Sequence, residues 1–291
     1  MDCRIVLAQT RPGLGEVSKN LEDHLAQIDA ARRAGAQMVL FPELSLTGYF
    51  LKDQTAELCL DRESPVLARL AEASREISIA VGFVERSPEG RLYNAMAFLE
   101  DGVLLHVHRK VHLVTYGMFE ESRDFAAGER FEPVASKHGR LGLLLCEDAW
   151  HVGGPYLYFL NDVDALVVAS SSPARGVGTG GQGLASTRVW NSLLTSMAHW
   201  FQIWICYVNR VGWEDGISFG GGSRVIDPFG ELVCEAGRTD EQRLEARLAA
   251  GPLRRARVQT PLRRDEKPWI VAAEMQRLAG WPEAREDAES S

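Results

Sequence analysis

A thiol, a carboxylate and an ammonium group stand where three apolar segments of this chain end. Cys146 follows Gly142-Leu143-Leu144-Leu145 and precedes Glu147-Asp148-Ala149-Trp150, so an apolar strand carries a thiol to the point where the sequence turns charged. Strand ends in α/β sheets are where reactive groups are displayed. Glu43 lies in Leu40-Phe41-Pro42-Glu43-Leu44-Ser45-Leu46-Thr47-Gly48-Tyr49, and burial among such neighbours would raise its pKa toward that of a useful base. Lys110 closes the run His106-Val107-His108-Arg109-Lys110. A free thiol is mostly protonated at neutral pH and only its thiolate is a strong nucleophile. A base to take the proton and a cation to favour the charged states would activate it. Taken singly, each residue also has a plainer reading. Cys146 reads as a core thiol, Glu43 as a solvated turn carboxylate and Lys110 as an exposed strand end.

Two other patterns compete. His106, His108 and His112 share parity along a strand, and His-x-His spacing can bind zinc, which makes a zinc hydrolase a rival. No completing carboxylate or cysteine is evident from the spacing, and no metal site is assigned. Gly176-Val177-Gly178-Thr179-Gly180-Gly181 matches G-x-G-x-x-G. Six residues separate it from the preceding strand, and no acidic residue follows about twenty positions on, so the tight phosphate turn of a nucleotide site is missing.

Composition narrows the partners. With 32 Lys and Arg against 40 Asp and Glu, the formal net charge of -8 disfavours nucleic acid or an anionic membrane as the main partner. The five cysteines are odd in number and form no C-x-x-C pair, which points to a reducing compartment. No signal-like leader and no run of 18 apolar residues is seen. A cytoplasmic protein is the expectation.

The elements that must position the three groups read as alternating strands and helices. Residues 3–9, 38–41, 77–84, 92–99, 103–108, 141–145, 165–169, 203–208, 223–226 and 232–234 read as strands. Residues 18–34 carry Leu21, Leu25, Ile28 and Ala31 at helical spacing, with Ser18 as the expected cap and Gly35 as the stop. Residues 64–76, with Pro65 at the first position, and 184–200 are further helices, and 269–278 a short final one. Asp101-Gly102 is a hairpin signal. The stretch between 235 and 268 is basic and reads as irregular. Apolar strands with helices between them predict mixed sheets buried by helices.

The motifs resemble those of the nitrilase, or carbon–nitrogen hydrolase, superfamily. Phe41-Pro42-Glu43-Leu44 with Thr47-Gly48-Tyr49, then Arg109-Lys110-Val111-His112-Leu113, then Leu145-Cys146-Glu147-Asp148 are similar to its three catalytic blocks, in its order. Tyr207-Val208-Asn209-Arg210-Val211-Gly212 and Gly221-Gly222-Ser223-Arg224-Val225-Ile226-Asp227-Pro228-Phe229-Gly230 resemble its later strands. The resemblance implies a four-layer α-β-β-α sandwich over one domain, residues 1–281, with 282–291 as a disordered tail. It implies homo-oligomers paired through helices and catalysis without a cofactor. Glu43 would be the base, Lys110 the electrophilic partner and Cys146 the nucleophile. A second glutamate of the family falls at Glu121, with Glu120 as the alternative.

Within the superfamily, the runs 110–125 and 146–150 look most like the glutaminase domain of glutamine-dependent NAD synthetases. Tyr49, Tyr116, Glu147 and Trp150 then match pocket-shaping positions. Ser170-Ser171-Ser172-Pro173 resembles the amide-holding strand end, with Ser172 the best single residue. Arg175 is the one candidate for a substrate carboxylate. No counterpart of the ATP-using synthetase half is seen, and Leu113-Val114-Thr115 stands where the family has Leu-Pro-Asn. The expected activity is hydrolysis of a small linear amide through a thioester, releasing ammonia or an amine. An N-carbamoyl-amine hydrolase, or a glutaminase subunit feeding a separate ammonia-using partner, are the alternatives.

Overall fold

The computed structural model describes residues 1–176 and 184–279. Its elements in chain order are β1 (Cys3–Gln9), α1 (Val17–Arg33), β2 (Met38–Leu40), α2 (Pro65–Ala73), β3 (Ser78–Arg86), β4 (Leu92–Glu100), β5 (Val103–Arg109), α3 (Glu121–Asp124), β6 (Val134–Ser136), β7 (Gly139–Leu145), α4 (Gly153–Leu160) and β8 (Ala165–Ser170). They continue with α5 (Ala185–Phe201), β9 (Trp204–Asn209), β10 (Trp213–Glu214), β11 (Ile217–Ser218), β12 (Arg224–Ile226), β13 (Leu232–Glu235), β14 (Gln242–Leu248), α6 (Ala250–Gln259), α7 (Leu262–Asp265) and α8 (Pro268–Ala279).

Two six-stranded sheets carry the fold, ordered β14-β1-β2-β3-β4-β5 and β13-β12-β9-β8-β7-β6. Each has a parallel centre, β1-β2-β3 in one and β7-β8-β9 in the other, flanked by antiparallel strands. Period-2 alternation sends Ile5, Leu7, Leu40, Leu143, Leu145, Val167 and Cys206 between the sheets. Val6, Ala8, Val39 and Val81 point the other way, onto Leu21 and Ile28 of α1 and Leu67 and Leu70 of α2. Leu144, Leu166, Val168 and Ile205 meet Tyr158 of α4 and Trp190, Leu194 and Met197 of α5. Both faces of every central strand are therefore buried, which is why these strands read as unbroken apolar runs. The layers are α-β-β-α, the nitrilase sandwich.

Local signals explain most boundaries. Ser64 caps α2 by accepting a hydrogen bond from the Leu67 N–H, with Pro65 at the first helical position. Asp101 and Gly102 both take positive φ, 52° and 84°, in the β4–β5 hairpin. Two expectations are corrected. Helix α1 starts at Val17 rather than Ser18, and its cap position, Glu16, makes no side-chain cap bond. The Asn20 amide instead folds back onto both backbone groups of Gly13 and fixes the entry to the helix. The basic stretch is ordered: β14 and α6 lie within it. Leu244, Ala246 and Leu248 of β14 face the core while Arg243, Glu245 and Arg247 face solvent. Charge on an edge strand masks its period.

The sheets are also tied by polar bonds beside the functional groups. Gln9 at the end of β1 accepts from the Ser223 N–H at 3.0 Å and the Ser223 hydroxyl at 2.9 Å. Asn209, at the end of β9, donates to the Gly221 and Ser172 carbonyls and accepts from the Ser172 N–H. The expected tail, residues 282–291, lies outside the described residues, and so does most of the glycine-rich motif, residues 177–181. Among the described residues, no helix is long and apolar enough to cross a membrane.

Candidate active site

Four chain segments bring the sequence candidates to one end of the sandwich. The loop after β2 supplies Glu43, the end of β5 supplies Lys110, the turn after β7 supplies Cys146 and the end of β8 supplies Ser170 and Ser171. Gly82 of β3 allows the first of these to press onto the sheet. A Cβ at Gly82 would stand 2.3 Å from the Leu44 N and 2.5 Å from the Pro42 O, closer than packing permits.

Glu43, Lys110 and Glu121 form a buried cluster. Lys110 Nζ donates to Glu43 Oε1 and to Glu121 Oε1, each at 2.7 Å. Glu43 Oε1 also accepts from Asn94 Nδ2 at 2.8 Å, and Oε2 from the Ser171 N–H at 2.8 Å. The Glu121 carboxylate accepts from the Tyr49 hydroxyl at 2.5 Å and the Val114 N–H at 2.9 Å. Glu43 is 0% exposed and Lys110 1%. An unpaired charge there would cost several kcal/mol, so each is retained only because its partners are in place.

Cys146 opens the turn with φ of 47°, a left-handed conformation that residues with a Cβ adopt at a cost. The side chain packs against the cluster that holds Leu144 and Tyr158, and Ser170 Oγ donates to Sγ at 3.2 Å.

Electrostatics assign the resting protonation. Burial, then the nearby Glu43 carboxylate, push the Cys146 thiol well above its ordinary value, against the pull of Lys110. Burial likewise raises the Glu43 pKa, and Lys110 and Asn94 only partly offset this. For Lys110, burial favours the neutral amine, but Glu121 and Glu43 outweigh it and hold the ammonium. Moving the thiol proton onto Glu43 would leave the charge of the cluster unchanged. A transfer of this kind needs no new charge in a low-dielectric site.

The remaining expected residues divide. Of the two glutamate candidates, Glu121 is the buried one and Glu120 is exposed. Tyr116 donates its hydroxyl to both Glu147 oxygens at 3.1 Å. Burial, then Glu147, push the Tyr116 hydroxyl up to about 12. Ser172 is buried and its Oγ accepts from Trp190 Nε1 at 2.8 Å. Trp150 packs edge-on against Trp190, ring centroids 5.5 Å apart, and lines a groove of about 380 Å³ with Val189, Leu193, Met197 and Trp200 on the helical side. Trp190 thus touches both Trp150 and Ser172. Arg175 is exposed, with its guanidinium carbon 6.0 Å from the Phe119 ring centroid.

The histidine pattern resolves differently. His108 Nε2 and His112 Nδ1 both face Asp148, at 3.0 and 3.1 Å. A carboxylate does stand beside them, two residues after Cys146, where the strand spacing gave no hint of it. Among the described residues no group of three or more His, Cys, Asp or Glu side chains is placed to hold a metal ion.

Residues 4–258 match the family model described as carbon-nitrogen hydrolase. The chain belongs to the carbon–nitrogen hydrolase family. This hydrolase is 29% identical over 233 residues to a glutamine-dependent NAD(+) synthetase of Acinetobacter baylyi, covering 80% of this chain and 42% of that protein. The chain thus spans less than half the length of the first curated relatives it matches. It is 30% identical over 258 residues to an (R)-stereoselective amidase of a Pseudomonas species, covering 87% of this chain and 88% of the other. Among solved structures, an amidase from a Nesterenkonia species is similar with a TM-score of 0.73 and 26% identity, covering 88% of this chain and 94% of that one.

Sequence reasoning missed Asn94, and it named Ser170 and Ser171 only within the segment 170–173, without the contacts this hydrolase gives them. Asn94 and the Ser171 N–H orient the Glu43 carboxylate, and Ser170 touches the sulfur. Asn94 lies inside an apolar strand, Leu92–Glu100, and a buried amide there signals an acceptor waiting for it. A backbone N–H carries no sequence signal at all.

Proposed function

We propose that this enzyme hydrolyses a small linear amide, with Cys146 as nucleophile, Glu43 as base and acid, and Lys110 as the electrostatic partner of both. The observation that carries the reading is the Lys110 ammonium, sealed from water and 2.7 Å from Glu43 Oε1, beside the strained turn that presents Cys146. The thiol needs a base, and Glu43 is the carboxylate next to it.

In the reaction, Glu43 takes the Cys146 proton as sulfur bonds the amide carbon, and the carbonyl electron pair moves to oxygen. Lys110 and the backbone N–H just after Cys146 stabilise this oxyanion. The oxyanion collapses, the C–N bond breaks, and the leaving nitrogen takes the proton from Glu43. Glu43 then removes a proton from water, which adds to the thioester. A second oxyanion collapses and expels the sulfur, which regains its proton from Glu43. Glu121 holds Lys110 charged throughout.

Glutamine-like ω-amides are the leading substrates. The likeness to NAD synthetases supports this, as does the Glu147 carboxylate, which among the described residues meets the Tyr116 hydroxyl and a His151 nitrogen at 3.6 Å and suits an N–H donor of the substrate. The same likeness supports a second reading, a glutaminase that supplies ammonia to a separate partner. An N-carbamoyl amine would fit the same three groups. Pairing of two copies through the helical layer is supported by exposed Val152, Leu157, Val189 and Trp200 on α4, α5 and the turn before them. The test is ammonia release over a panel of amides, carbamoyl amines and nitriles, with Cys146→Ala as blank. Release that survives in the blank contradicts the proposal.

A further inference from the structure

We propose that Asp148 is a positioning residue for this reaction, holding the strand end that carries Lys110 in register with the turn that carries Cys146. The inference rests on the roles given above to those two residues. Asp148 is fully buried. Its Oδ1 accepts from the N–H groups of Val111 at 3.1 Å and His112 at 2.9 Å, and from His112 Nδ1 at 3.1 Å. Its Oδ2 accepts from His108 Nε2 at 3.0 Å and the Leu145 N–H at 3.2 Å. Val111 directly follows Lys110 and Leu145 directly precedes Cys146. One carboxylate therefore grips the backbone on the far side of the ammonium and on the near side of the thiol.

Nothing in the sheet ladders does this work. β5 belongs to the first sheet and β7 to the second, so no strand pairing sets the distance between their ends. Packing between sheets can slide; five hydrogen bonds to one carboxylate cannot slide without breaking. Three of the five are backbone N–H groups, which can only donate, and the ionised carboxylate accepts from these and from both imidazoles. A carboxylate offers about four lone-pair directions and no donor of its own. An amide in the same place would turn its NH₂ against at least one backbone N–H, that of Leu145 on one side or those of Val111 and His112 on the other. Burial opposes the charge, but the bonds from His108 and His112 outweigh it and hold the carboxyl below the usual carboxylate range. His112 is only partly buried and stacks on His151 with centroids 3.8 Å apart, so the Oδ1 side can be perturbed from the surface.

The experiment compares the wild type with Asp148→Asn and His112→Ala, using Cys146→Ala as the blank. Circular dichroism and thermal melting establish the folded state. The readouts are kcat and KM on the best amide of the panel, and the rate of Cys146 alkylation by iodoacetamide, located by peptide mass spectrometry. Folded Asp148→Asn should lose about 10²-fold in kcat, the scale of an ångström-sized misplacement, with KM near the wild-type value and an altered alkylation rate. A folded variant with wild-type kcat and alkylation rate overturns the proposal. If Asp148→Asn does not fold, His112→Ala decides, since it removes one donor and leaves four. A several-fold fall in kcat at unchanged KM supports the proposal, and wild-type kcat overturns it. If the wild type releases ammonia from nothing in the panel, the functional reading has failed separately. The alkylation rates then decide on Asp148, and an unchanged rate in the folded variant overturns its role.

Discussion

The Lys110 ammonium lies 2.7 Å from Glu43 Oε1, with both side chains closed to solvent. A buried contact of this kind keeps two charges that would otherwise neutralise, and among the described residues Glu43 Oε2 accepts from one donor, the Ser171 N–H.

Glu43→Gln keeps the shape and removes the base. The expected result is a fall in kcat of roughly 10²–10⁴, the usual contribution of a positioned acid or base, with little change in KM. Steady-state ammonia release measures it. An unchanged kcat would remove Glu43 from its role.

The same carboxyl sets a pH limb. Only ionised Glu43 can accept the thiol proton, and burial raises its pKa above the ordinary 4.5. Activity should therefore rise with pH through a value above 4.5, not at it. A kcat/KM profile shows the limb, and in Glu43→Gln the residual activity should lack it.

Lys110→Met should destabilise the fold as well as silence the enzyme. Glu43 and Glu121 would be left as buried carboxylates without their shared cation, at a cost of about 3–5 kcal/mol unless one takes a proton. Urea denaturation at neutral pH checks the loss. The loss should shrink as pH falls and the carboxyls protonate.

His24 gives an independent stability test. It is buried between the Asn20 carbonyl and Ser45 Oγ, at 2.6 and 2.9 Å, and burial lowers its pKa to about 4 from 6.5. The folded pKa is depressed, so the unfolded chain takes up a proton that the native one refuses. Stability from this group is complete above 6.5 and is lost as pH falls toward 4, by up to about 1.4 kcal/mol per pH unit. Denaturation curves between those limits should show this slope, and His24→Gln should flatten it.

Gly82→Ala should harm both fold and rate. The added methyl meets the Pro42–Leu44 backbone at 2.3–2.8 Å, and forcing that loop away costs typically 1–3 kcal/mol. Since the loop carries Glu43, kcat should fall too. A stable, fully active variant would show that the close approach is dispensable.

Much of this arrangement was legible in the chain because apolar runs end abruptly at chemistry. Cys146 and Glu43 follow strands buried on both faces, and the break in hydropathy marks them. Lys110 was placed by the family motifs, since a lysine at a strand end is ordinary by itself. What stayed hidden depends on contacts across the sandwich. Asp148 stands in the sequence only as part of the cysteine block, and its contacts with His108 of β5 and with His112 just beyond that strand need the fold. Asn94 sits unmarked in an apolar strand, and its meaning needs Glu43 at 2.8 Å. β14 was masked by its own charges, because only Leu244, Ala246 and Leu248 face inward. Trp150 matches a pocket-shaping position of the family, and its ring packs edge-on against Trp190, whose Nε1 donates to Ser172.

The most direct measurement is ammonia release by Cys146→Ala on the amide that the wild type turns over best, with the fold checked by circular dichroism. Background release from a folded variant is the predicted result. Wild-type release from that variant would mean that the sulfur at the end of β7 does not carry the reaction.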